Sequence, residues 1–82
     1  MNRRFSLMVD DRPETLMRVT SLCLRRRADV VSLRYGRSRH AGWARLDLEL
    51  VVDERHGRGL AQRLEALVEV RDVAELRMAE AA

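Results

Sequence analysis

The chain has 82 residues, 46% hydrophobic and 35% charged, a composition that fits one small soluble globular domain and excludes a disordered or membrane-embedded chain. One small core cannot also wall off a large cofactor, and a single cysteine excludes an intrachain disulfide and points to a reducing, cytoplasmic setting. The 16 cations are all arginine and stand among 13 acidic residues for a net charge of +3, which fits the codon usage of a G+C-rich genome better than a nucleic-acid-binding face.

Residues 4–9 alternate, with Phe5, Leu7 and Val9 on one side and Arg4, Ser6 and Met8 on the other, the period of a half-buried strand. Asp10-Asp11-Arg12-Pro13 breaks it. Asp11 or Arg12 stands near an N-cap, Pro13 suits the first helical position, and Glu14 meets the positive end of the dipole. A helix is predicted over 13–26, with Leu16, Val19 and Cys23 in one apolar stripe. From Asp29 the chain returns to strand, Val31, Leu33 and Tyr35 alternating with Val30, Ser32 and Arg34. Gly36 to Gly42 is a polar turn. Residues 43–52 form the clearest strand, Ala44, Leu46, Leu48, Leu50 and Val52 facing in.

Asp53 can cap a second helix, weakened at its start by Gly57 and Gly59 and firm from Leu60 through Leu64 and Leu67. Residues 68–76 read as a last strand with imperfect alternation through Val70, Val73 and Leu76. One domain is expected over 3–77, with 78–82 a frayed tail. The order β-α-β-β-α-β with right-handed crossovers gives an α+β two-layer sandwich of the ferredoxin-like kind, its antiparallel sheet ordered 4-1-3-2. The second strand, Val30, Val31, Ser32, Leu33 and Arg34, is then an edge that invites pairing with a second copy. In that pairing Val31, Leu33 and Tyr35 are expected on the helix-covered face and Val30, Ser32 and Arg34 on the open one.

The chemistry-bearing residues do not assemble into a catalytic set. His40 and His56 fall in loops without a ligand-spaced partner, so no metal is expected. Cys23 lies on the buried helix stripe, where packing is its use. His56-Gly57-Arg58-Gly59 lacks the rest of a phosphate-loop signature. Arg25-Arg26-Arg27 complements a helix C-terminus. Phe5 and Tyr35 take core parity, which removes the exposed aromatics that base stacking needs. No apolar run nears the ~20 residues of a membrane helix. A binding or regulatory module is favoured over a small oligomeric enzyme, and neither nucleic acid nor membrane is an expected partner.

The run Val9-Asp10-Asp11-Arg12-Pro13-Glu14-Thr15-Leu16-Met17-Arg18-Val19, with Ser32-Leu33, Ala44-Arg45-Leu46-Asp47-Leu48 and Gln62-Arg63-Leu64-Glu65-Ala66-Leu67-Val68-Glu69-Val70, resembles the ACT domain of the small regulatory subunit of acetolactate synthase (acetohydroxyacid synthase). The likeness runs over residues 3–77. It implies a subunit without activity of its own, acting in branched-chain amino acid biosynthesis. Such a subunit forms a homodimer, binds the large catalytic subunit and raises its activity. The thiamine diphosphate, FAD and Mg²⁺ of the reaction belong to that partner.

In valine-binding members of this family the effector lies between the strand 1–helix 1 loop of one chain and the start of strand 2 of the other. On that pattern the corresponding positions are Asp11, Arg12, Pro13, Glu14 and Thr15 with Asp29, Val30 and Val31. Glu14 stands where valine-sensitive relatives have glycine, and Asp29 where they have asparagine. Two carboxylates would face the carboxylate of the ligand, so the resemblance implies the short, valine-insensitive isozyme II type. Arg27 stands where those relatives end the first helix with glycine. The alternative is a free-standing ACT module sensing another amino acid or regulating another metabolic enzyme.

Overall fold

The computed structural model describes residues 2–76. Four strands, β1 (Asn2–Asp10), β2 (Asp29–Arg37), β3 (Trp43–Val51) and β4 (Val70–Leu76), form one sheet with helices α1 (Pro13–Arg25), α2 (Glu54–Gly57) and α3 (Leu60–Glu65) between them. The spatial order is β2-β3-β1-β4 and every pairing is antiparallel, which is the order 4-1-3-2 expected from the sequence, met from the other edge. Residues 77–82, which include the expected tail, lie outside the described residues.

The core is the inner face of the sheet under the helices. Phe5, Leu7 and Val9 pair across β1 and β3 with Leu48, Leu46 and Ala44, all buried. Val19, Leu22 and Cys23 of α1 and Leu60 and Leu64 of α3 close over them. Burying each leucine, valine or phenylalanine of this set contributes roughly 1.5–3 kcal/mol relative to leaving it in solvent.

Three expectations are corrected. The single second helix is two short ones, because Gly59 adopts φ +74° and breaks the run between Gly57 and Leu60. In β2 the register shifts between Val30 and Ser32, so Val31 is an extra residue in a β-bulge. Val30 therefore pairs with Leu50 and packs on the core, while Val31 is 55% exposed, reversing the faces expected for these two; Leu33 and Tyr35 keep the helix-side parity opposite Leu48 and Leu46. The last strand begins at Val70 rather than at 68, and Val68 is exposed. Its imperfect alternation has the same cause as in β2. The shift between Met8 and Val9 leaves Arg71 extra, so Val70 and Val73 both face the helices while Leu76 turns to the open side opposite Arg4.

Helix α1 ends in a tight closure. Arg27 takes φ +55°, the Ala28 N–H donates to the Cys23 carbonyl at 2.9 Å, and the Arg27 N–H donates to the Leu24 carbonyl at 3.0 Å. This pair of bonds is the Schellman motif that glycine normally closes. An arginine here delivers the chain into β2 along the same path.

Candidate functional site

The β1–α1 junction is held by side chains of β2 and β4 and by a backbone carbonyl of the β2–β3 loop. The Asp10 carboxylate accepts from Arg71 Nε at 2.8 Å, and the Asp11 N–H donates to the Gly42 carbonyl at 2.9 Å. Of the two residues expected near the N-cap, Asp11 and Arg12, it is Arg12 that takes the position, and it brings no side-chain bond to the helix. The Asp11 carboxylate turns to β2 instead, accepting from the Tyr35 hydroxyl at 2.6 Å and from Arg37 Nε at 2.9 Å. The hydroxyl, helped by Arg37, holds the Asp11 carboxyl below its ordinary range against the opposing effect of burial. Burial and the Asp11 carboxylate push the Tyr35 phenol up to about 12.

A helix N-terminus receives an anion through its free N–H groups. Here that capacity is reduced. Pro13 has no N–H, and Thr15 spends its N–H on the Arg12 carbonyl at 3.1 Å and its hydroxyl on the Asp10 carbonyl at 2.7 Å. Thr15 is fully buried, so it is a brace of the junction rather than a group facing a ligand. Glu14 is exposed, with its carboxylate 4.0 Å from Arg12 Nη1.

The other half of the expected site lies elsewhere. Asp29 pairs with Val51, which also pairs with Asn2 at the start of β1, whereas α1 follows Asp10 at the far end of that strand. Eight strand steps separate the two, about 26 Å at ~3.3 Å per residue. One chain therefore does not bring residues 11–15 together with Asp29, Val30 and Val31. Strand β2 is a sheet edge along its whole length. Leu33 and Val31 on this strand are 39% and 55% exposed, and on α1 Met17 and Leu24 are exposed apolar groups as well.

The remaining chemical candidates are accounted for by structure. Cys23 is fully buried, and desolvation pushes its thiol up to about 11, away from thiolate chemistry. Asp53 caps α2, accepting from the His56 N–H at 2.6 Å, with the ring Nδ1 2.7 Å from its other oxygen; these bonds hold its carboxyl below the ordinary range. His40 lies against Trp43, ring centroids 5.7 Å apart. Among the described residues no three His, Cys, Asp or Glu side chains gather as metal ligands, and no helix is long and apolar enough to cross a membrane.

No protein-family model matches the chain, and no curated protein matches it significantly in sequence. Solved structures do match. The small subunit of acetolactate synthase from Thermotoga maritima superposes with a TM-score of 0.82 at 24% identity, over 96% of this chain and 49% of that one. The fold is that of an ACT domain. The ACT domain of the GTP pyrophosphokinase of Chlorobium tepidum matches with a TM-score of 0.71 at 13% identity, over 93% of this chain and 97% of that one. A homoserine dehydrogenase from Thiobacillus denitrificans matches with a TM-score of 0.69 at 18% identity, over 94% of this chain and 17% of that one. The chain spans about half the length of the Thermotoga subunit. The ACT fold thus recurs on proteins of unlike chemistry, so function has to be argued from the site.

Two features of this ACT fold were not anticipated from sequence. One is the Asp11–Tyr35–Arg37 cluster, whose only sequence signal is a hydroxyl-bearing aromatic at the end of an otherwise apolar strand face. The other is a cleft where Arg26 meets Arg58 and Arg63, brought together from residues more than thirty positions apart.

Proposed function

We propose that this chain is a regulatory small subunit of acetolactate synthase. It binds the large catalytic subunit, which carries thiamine diphosphate, FAD and Mg²⁺, and raises its activity. The observation that carries the reading is the superposition on the Thermotoga small subunit over nearly the whole chain, together with the strand–helix and 62–70 motifs that resemble the same family. Copurification of the large subunit with this chain after co-expression tests it; an ACT module serving a different enzyme would leave the large subunit unbound.

The working unit in this reading is a homodimer joined through β2. Antiparallel pairing about a two-fold axis near Leu33 sets Asp29 of the second copy beside Arg37 of the first, and so beside the β1–α1 junction. The effector groove then exists only between copies, since its halves lie about 26 Å apart within one chain. Covering the exposed Leu33 and Val31 of β2 supplies apolar burial for such a contact. The groove is closed to valine in this reading. Glu14 and Asp29 present carboxylates to a carboxylate, and Pro13 and Thr15 withhold the N–H groups that would receive it. This is the character of the valine-insensitive isozyme II type.

A further inference from the structure

The helix layer carries a second concave surface, remote from the β1–α1 junction. It lies between the C-terminal end of α1 and helix α3, has a volume of about 420 Å³, and is lined by Arg26, Arg58, Gly59, Gln62, Arg63 and Ala66. Three arginines and a glutamine thus line one cleft, and no acidic residue does. Of the other twelve arginines among the described residues, six have a carboxylate within 4.0 Å and six, Arg4, Arg25, Arg27, Arg34, Arg39 and Arg55, have none. Arg26, Arg58 and Arg63 have none among the described residues.

Arg26 adds a second observation. Its Nη2 makes only a long contact of 3.4 Å to the Arg58 carbonyl, and its Nε is sealed from solvent without any acceptor. A buried guanidinium donor left unpaired is unfavourable, and the fold keeps it beside two more cations. Like charges gathered without a counter-ion are the arrangement that a bound anion relieves. Arginine's planar fork offers two parallel N–H groups to a pair of phosphate oxygens, which makes phosphate a better fit than a monatomic anion.

We propose that the α1–α3 cleft binds the diphosphate group of a small phosphorylated ligand, with Arg26 at its wall and Arg58 and Arg63 closing over it. Three cations match the charge of a diphosphate near neutral pH. The exposed Arg58 and Arg63 side chains are free to part and admit the ligand to the Arg26 fork. The proposal stands apart from the partnership with acetolactate synthase, because it concerns a different face and needs no catalytic subunit.

The test uses the full chain, isotopically labelled, titrated with inorganic pyrophosphate at physiological ionic strength and followed by two-dimensional NMR. Saturable shifts confined to Arg26 and residues 58–66 are expected. The double variant Arg58→Gln with Arg63→Gln, on exposed positions, should keep the native spectrum and weaken binding by at least about tenfold. Arg39→Gln, on the distant β2–β3 loop, should bind like the parent. Adenosine diphosphate, titrated in parallel, separates the two sources of the group. Equal affinity supports recognition of the phosphates alone, and tighter binding supports a nucleotide whose base makes further contacts. Failure of both probes to saturate by about 10 mM, or unchanged affinity in the double variant, overturns the proposal. So does a cleft that ignores pyrophosphate and takes a hexaglutamate peptide, which would make it a contact for an acidic protein segment.

Discussion

Replacing Arg27 by glycine should stabilise the protein, although the change deletes a whole side chain. Arg27 holds φ +55° to close the Schellman bonds at the end of α1. That left-handed conformation costs a residue with a Cβ roughly 1–2 kcal/mol. Glycine adopts it freely but gives back about 0.5–1 kcal/mol through the greater freedom of the unfolded chain. Taking the middle of each range, the net gain is about 0.7 kcal/mol. Because a domain of this size shifts by ~4–8 °C per kcal/mol, the melting temperature of Arg27→Gly should rise by ~3–6 °C. Thermal unfolding followed by circular dichroism reads this, at one fixed protein concentration because self-association would move the midpoint. Arg27→Ala is the control: it removes the same charge but keeps the Cβ. An Arg27→Gly midpoint at or below that of the parent refutes the argument. An Arg27→Ala gain equal to the glycine gain would locate the effect in charge repulsion along Arg25-Arg26-Arg27 instead.

The Asp11–Tyr35 pair sets the pH response from both sides. Asp11 has its folded pKa depressed, so its contribution is present above the ordinary carboxylate range and is lost as pH falls through the lowered value. Tyr35 has its folded pKa raised, so its contribution is complete below pH 10 and is lost as pH rises towards about 12; Tyr35→Phe should flatten both limbs of a melting-temperature profile. Leu33→Glu places a charge among the exposed apolar groups of the β2 edge and should shift light scattering from dimer to monomer while the circular dichroism spectrum is kept. Parent protein should show no heat of valine binding in calorimetry. Glu14→Gly with Asp29→Asn should recover measurable affinity, with Glu14→Gly alone recovering less, each relieved contact being worth about tenfold, or ~1.4 kcal/mol.

Where one face of an element is fully buried, the sequence pattern carried the structure. β1 and β3 alternate cleanly because Phe5, Leu7 and Val9 and their β3 partners all point into one core. Pro13 and the Val19–Cys23 stripe placed α1 within a residue of its ends. The misread positions are those where one extra residue enters an edge strand. A bulge at Val31 reverses the parity of its neighbours, and one at Arg71 puts Val70 and Val73 on the same side; neither has a side-chain signature. Gly59 was visible as a weakness, but only its left-handed backbone shows that the helix stops there.

The candidate site was legible only in part, for a tertiary reason. Asp11 looks like a cap from its position before Pro13, yet Tyr35 and Arg37, twenty-four or more residues away, compete for its carboxylate and win with two bonds. Thr15 reads as a polar residue in the first turn of the helix, among the candidate effector contacts, and is fully buried at the junction. The Asp11 bonds come from β2, which no local pattern contains.

The central claim is that this ACT fold activates a catalytic partner, and a titration tests it most directly. Purified acetolactate synthase large subunit, supplied with pyruvate, thiamine diphosphate, FAD and Mg²⁺, is assayed for acetolactate as this chain is added. The rate should rise saturably, and added valine should not reverse the rise. A rate that stays flat with both proteins folded would contradict it.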